Sequence, residues 1–207
     1  MNFIKKGVIT LIFASFIMLF NGWTLTDAYT GYAGADGDLS YATAQAKVTK
    51  AYLDQMGYYT TLYTGSSYTE ASVKNNVPSV RAFYTSCHGS SNASAFWTNN
   101  ASESVTSSEL YSWTVGFYKF AFIDACHSGE SKAMYSAFNM VDNDGKSDAY
   151  LGWIGLSYDS ANYTNFTTAV YELLDQGETI NSAVWTARTR TGITNYQIYG
   201  DYQMTMY

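Results

Sequence analysis

Two short apolar runs, "RAFYTSCHGSS" at 81–91 and "FAFIDACHSGE" at 120–130, share an ending: each breaks off at Cys-His, with a glycine directly after or two places on. Both cysteines and both histidines of the 207-residue chain lie in these two stretches. A run of Phe, Tyr, Ile and Ala that is too short for a helix and bounded by Gly and Ser reads as a strand buried on both faces, the pattern of a parallel sheet. Such strands deliver whatever follows their last residue to the carboxyl edge of the sheet, where ligands of open α/β folds bind. His88 stands just past one run and Cys126 just past the other, so neighbouring strands would bring both to one rim.

The rest of the chain alternates between strand-like and helix-like segments. Ser40 to Met56 fits a helix, with Ser40 as cap, Ala44, Val48, Ala51 and Tyr52 on one face, and Gly57 as stop. Tyr58 to Tyr63, Val80 to Thr85, Tyr118 to Ile123 and Tyr150 to Leu156 read as strands, and Thr69 to Asn76 as a short helix ahead of Pro78. Another helix is expected from about Ser131. Phe166, Ala169, Val170, Leu173 and Leu174 recur at helical spacing before Gly177, as do Ile180, Ala183, Val184 and Ala187 between Thr179 and Gly192. Tyr196 to Tyr207 fits a closing strand, and Trp23 to Tyr32 is what remains for a first one. The Ser- and Asn-rich stretch Ser90 to Ser108 reads as a long surface loop, a length that in compact domains is usually either functional or mobile. Strands separated by helix-length segments predict an α/β fold, a mostly parallel central sheet with helices on both faces.

With 47% apolar residues the chain can build one well-buried core and is too short for two ordinary domains. Lys5 and Lys6 followed by the uncharged, apolar stretch Gly7 to Phe20 have the layout of a secretory signal. A spanning helix needs about 20 apolar residues, which makes an uncleaved anchor the competing reading. Small residues at Gly22 and Ala28 bracket the cut, so residues 1–28 are expected to be removed and 29–207 to form one secreted domain without membrane attachment. The 11 basic and 17 acidic side chains give a net charge of −6, and about −8 once Lys5 and Lys6 are gone. No nucleic-acid partner is expected, because phosphate binding needs clustered Lys and Arg, whereas an anionic field attracts basic peptides.

A thiol and an imidazole on adjacent strand ends are the minimum apparatus for nucleophilic attack on a carbonyl. The imidazole takes the thiol proton, the thiolate attacks, and the imidazolium returns the proton to the leaving amine. Backbone N–H groups at the Gly turns, near Gly89 and at Cys126 itself, are the expected holders of the oxyanion.

An apolar run ending in His-Gly, then a second ending in an acid and Ala-Cys, resembles the two blocks of the caspase-like cysteine peptidases: caspases, metacaspases, legumains, clostripain and gingipains. The second block, Asp124-Ala125-Cys126-His127-Ser128-Gly129, is most similar to the metacaspase version. The resemblance implies a caspase-like fold, with His88 as acid-base, Gly89 as oxyanion glycine and Cys126 as nucleophile. It implies further that Asp124 lines the pocket for the substrate side chain preceding the cut, so that the substrate is a polypeptide cleaved after Arg or Lys. A carboxylate in a cleft pairs well with a guanidinium. The stretch "GLSYDSA" at 155–161 resembles the pocket wall of metacaspases, with Asp159 as a second acid. The chain departs from the family in carrying Cys87 where a small residue often precedes His-Gly.

The competing reading is an inactive secreted binding or adhesion module of the same fold, tied by a Cys87–Cys126 disulfide, since paired cysteines in exported chains are often bonded. A zinc site is disfavoured because neighbouring side chains on extended backbone point to opposite sides. No metal or other cofactor is expected, with one opening: "DNDGKSD" at 142–148 resembles part of a calcium loop, although Met140 stands where an acid would precede it and no Glu closes it.

Overall fold

The computed structural model describes residues 29–207; the expected signal segment 1–28 and its cut lie outside the described residues. Six strands form the central sheet: β1 (Thr30–Ala35), β2 (Tyr59–Thr64), β3 (Ala82–Ser86), β6 (Phe120–Asp124), β7 (Ala149–Trp153) and β8 (Tyr196–Gly200). They run in the order β2-β1-β3-β6-β7-β8, all parallel except β8, which is antiparallel to β7. Between β3 and β6 a small antiparallel hairpin, β4 (Ala95–Thr98) and β5 (Glu103–Thr106), stands outside the main sheet. This is the mixed α/β, mostly parallel architecture that the alternation of segments predicts, and it is compatible with a caspase-like fold. No helix among the described residues is long and apolar enough to cross a membrane.

Every residue of β3, β6 and β7 is buried, and strand alternation divides their side chains between two layers. Tyr84, Phe122, Leu151 and Trp153 pack into one, under α1 (Ala42–Gln55), α5 (Ala161–Asp175) and α6 (Ile180–Thr191). Phe83, Ile123 and Tyr150 pack into the other, under α2 (Glu70–Asn76), α3 (Ser107–Trp113), α4 (Ala133–Ala137) and the hairpin. Edge-on rings join the sheet to the first layer: Phe122 meets Trp153 at 5.6 Å between centroids, and Trp153 meets Tyr163 at 5.0 Å. Truncating Trp153 to Ala would cost about 3–5 kcal/mol through the cavity it leaves.

Four expectations need correction. Helix α1 buries Ala42, Gln45, Ala46, Thr49 and Leu53, not the face of Ala44, Val48, Ala51 and Tyr52. Alanines at 42 and 46 let the helix approach the sheet closely, and Gln45 is accepted inside because its Oε1 takes a 2.8 Å hydrogen bond from the Ser86 hydroxyl. Ser40 does not cap this helix, whose N-cap position is Tyr41 with no side-chain cap; the Asp159 carboxylate instead holds the approach to it from across the rim, accepting from the N–H groups of Ser40 (2.6 Å) and Tyr41 (2.8 Å). The stretch 90–108 is not a loop but the β4–β5 hairpin and the start of α3, capped by the reciprocal Thr106–Glu109 pair. The first strand begins at Thr30, overlapping Trp23 to Tyr32 only at its end.

Candidate active site

β3 and β6 are hydrogen-bonded neighbours, with Ser86 opposite Asp124 in register. The two Cys-His pairs therefore leave the sheet side by side at its carboxyl edge, and the Cys87 N–H donates to the Asp124 carbonyl at 3.1 Å. A cavity of about 200 Å³ opens there, bordered by His88, Cys126, Asp124, Ser157 and Asp159. Pockets that enclose a whole small ligand run to roughly 300–1,000 Å³, so this one suits a single extended side chain. The expected site residues are thus gathered at one place.

The nucleophile candidate, Cys126, is half-buried with a free thiol. Its sulfur lies 3.4 Å from the Ser157 carbonyl, to which it donates, and receives the Ser157 N–H at 3.3 Å. Gly89 lies against it so closely that a Cβ there would stand 2.0 Å from the Cys126 carbonyl oxygen, which leaves glycine as the only residue that fits. Neither the Gly89 nor the Cys126 N–H donates to another protein group among the described residues, so two donors on closely packed backbone are unengaged. His88 is exposed and borders the same cavity, and its Nε2 lies 3.1 Å from Oδ2 of Asp38. Asp38 was not legible from the motif, since it arrives from the loop after β1, fifty residues upstream by sequence separation.

Asp124 continues the alternation of Phe120 and Phe122 and so points into the first layer, at the floor of the cavity, 5% exposed. Trp153 Nε1 donates to Oδ1 at 2.5 Å and the Tyr84 hydroxyl to Oδ2 at 2.9 Å. Burial pushes its carboxyl up to about 6, against the lowering effect of those hydrogen bonds; the nearby charge of Asp159 adds to the rise. Each oxygen keeps a lone pair for a further donor. Asp159 is at the mouth, its oxygens engaged by the start of α1, so it ties the 155–159 loop to the opposite wall as well as adding negative charge.

The Cys87–Cys126 disulfide is not formed; both thiols are free. Cys87 follows the alternation of Phe83 and Thr85 into the second layer, where its sulfur faces the Thr85 hydroxyl at 3.7 Å, while Cys126 turns out over the edge toward Ser157. Burial pushes the Cys87 thiol far above its ordinary range, leaving it unreactive. His127 adopts φ 62° and turns aside to Glu130, with Nδ1 2.7 Å from Oε1; the same oxygen accepts the Gly155 N–H at 2.8 Å.

The stretch 142–148 lies elsewhere. Its residues border a larger cavity of about 420 Å³ with Gly200, Asp201 and Tyr202, without Cys or His. Asp142 pairs with Lys132 and Asp144 with Lys146. Among the described residues no group of three or more His, Cys, Asp or Glu is placed to hold a metal ion.

No family model and no curated protein matches the chain. Among solved structures it is similar to protein GSU0716 from Geobacter sulfurreducens, with a TM-score of 0.50 and 13% identity over 83% of this chain and 93% of that one. That likeness shows the fold alone.

Proposed function

We propose that the protein is a caspase-like cysteine endopeptidase that cuts polypeptides after Arg or Lys. One observation carries the reading: Cys126, His88 and a buried carboxylate, Asp124, border a single side-chain-sized cavity at the ends of two adjacent parallel strands. His88 accepts the Cys126 proton, and the thiolate attacks the carbonyl carbon of the scissile bond. The oxyanion settles on the N–H groups of Gly89 and Cys126. The imidazolium then protonates the leaving amine, and water, deprotonated by the same ring, releases the acyl group from sulfur.

The substrate's basic side chain enters the cavity and donates to Asp124. A desolvated carboxylate there favours a cation strongly, and the ionised acid is retained despite its burial. Asp159 adds charge at the mouth. The apolar, Lys-headed segment 1–28 makes export part of the same proposal, consistent with an enzyme kept from its substrates until it leaves the cell.

The test is hydrolysis of peptide reporters ending in Arg, Lys, Leu or Asp. The expected result is cleavage of the Arg and Lys reporters alone, lost in Cys126→Ala with the circular dichroism spectrum unchanged. Equal cleavage by Cys126→Ala, or indifference to the terminal residue, overturns the reading.

A further inference from the structure

The β4–β5 hairpin touches both sides of the rim. At its base the Trp97 N–H donates to the His88 carbonyl at 2.9 Å and the Ser90 N–H to the Ala95 carbonyl at 3.0 Å, fixing the backbone that carries the imidazole. At its tip Asn99, Asn100 and Ala101 follow one another in the left-handed region, with φ of 53°, 54° and 59°. Non-glycine residues adopt that conformation rarely and singly, and a consecutive trio persists only where surrounding contacts over-determine it. Those contacts point to the loop after β1. The Asn100 N–H donates to Oδ1 of Asp36 at 2.8 Å, and Asn100 Oδ1 accepts the Gly37 N–H at 3.1 Å. Gly37 must be glycine for this: a Cβ would stand 2.7 Å from Asn100 Oδ1 and equally close to Gly65. Asp36 is fully buried, with its second oxygen unpaired.

Asp38 is the residue that meets His88. Their side chains are 38% and 45% exposed, so water competes for the contact and an isolated pair of this kind would not hold one geometry. From these observations we infer that Asp38 is the positioning residue of His88, held at Nε2 because the left-handed turn Asn99–Ala101 clamps Asp36 and Gly37, just ahead of it, to the rim. A carboxylate at Nε2 fixes the ring's tautomer and turns Nδ1 toward the cavity, which is what a base serving Cys126 requires. This deepens the peptidase reading and rests on it.

Two measurements separate the inference from that reading: the rate of Cys126 carboxamidomethylation by iodoacetamide, which needs no substrate, and turnover of an Arg-ended reporter. Asp38→Ala is expected to lower kcat roughly 10- to 100-fold with KM changed less than about threefold, because a displaced base slows proton transfer without touching the cavity floor. Asp38→Glu should recover part of the loss. Asn100→Ala should lower kcat several-fold in the wild-type background and add nothing to Asp38→Ala, whereas a turn that merely stabilises the fold would give additive losses. If Asp38→Ala changes neither alkylation nor kcat while Cys126→Ala abolishes turnover, or if the double variant is additive, the positioning role is overturned and the peptidase stands. If no variant turns over any reporter but Asp38→Ala still slows alkylation, the positioning role stands and the peptidase reading falls.

Discussion

At the end of β3 the histidine of the Cys-His pair faces the cavity and the cysteine is packed beneath the sheet; at the end of β6 the cysteine faces the cavity and the histidine turns aside to Glu130. The letters are the same, and the difference is one of phase. Cys87 directly follows the last residue of its strand and keeps the alternation of Phe83 and Thr85, which sends it into the second layer. Cys126 is two residues past Asp124, where the chain has left the sheet and the left-handed His127 bends it over the rim. A motif thus names the available chemistry, and the register against the strand end decides which member can use it.

The sharpest way to break this comparison is to remove each sulfur in turn. Cys126→Ala should reduce kcat/KM on an Arg reporter by roughly 10⁴-fold or more, as removal of a nucleophile does. Cys87→Ser should leave turnover within about threefold and show itself instead in the melting temperature. If the two variants exchanged these behaviours, the pairs would have been assigned the wrong way round. The histidines make the next pair: His88→Ala should lower kcat about 10²- to 10⁴-fold. His127→Asn, a residue that tolerates left-handed backbone, should lower it only a few-fold, measured on the same reporter.

Asp124 gives a smaller effect with two signs. Its folded carboxyl titrates near 6 instead of its ordinary 3.8, so between those pH values the native state holds a proton that the unfolded chain has lost. Stability contributed by this group therefore falls as pH rises through that window and is flat above it. Asp124→Asn removes the burden: its carbonyl can serve the Trp153 N–H and its amide the Tyr84 oxygen. Denaturant unfolding should show the variant more stable by on the order of 2–3 kcal/mol at pH 7.5, with the gap closing below pH 4. Cleavage of Arg reporters by the same variant should drop about 100-fold, mostly through KM, while in the wild type their kcat/KM should rise as pH passes 6. A variant both less stable and unimpaired would show the carboxylate to be structural. The smallest effect is expected at Asp159→Asn, which should weaken the hold on the Ser40 and Tyr41 N–H groups by about 1 kcal/mol and raise KM several-fold.

How much of this the sequence discloses depends on the range of the interactions. The strands β3 and β6 are legible because apolar runs and their Gly-bounded ends are local signals, and the placement of His88, Cys126 and Asp124 at one edge follows from their being neighbours. The two last helices are legible for the same reason, ending at Gly177 and Gly192 with φ of 84° and 73°. The buried face of α1 is not, because its alanines are selected by the sheet they touch and Gln45 by a hydroxyl on β3. The hairpin hides in Ser and Asn because Phe96 and Val105 bury only one side of it. Asp38 carries no motif at all; its meeting with His88 is created by the turn at Asn100 and exists only in three dimensions.

The central claim is that the Cys126 sulfur is the reactive one and that it acts on a basic substrate held over Asp124. Treating the protein with an arginine chloromethyl ketone, then mapping the adduct by peptide mass spectrometry, addresses both halves at once. The account predicts a single adduct on Cys126, absent from His88→Ala, and much slower labelling by the leucine analogue. An adduct on Cys87, none at all, or equal labelling by both reagents would contradict it.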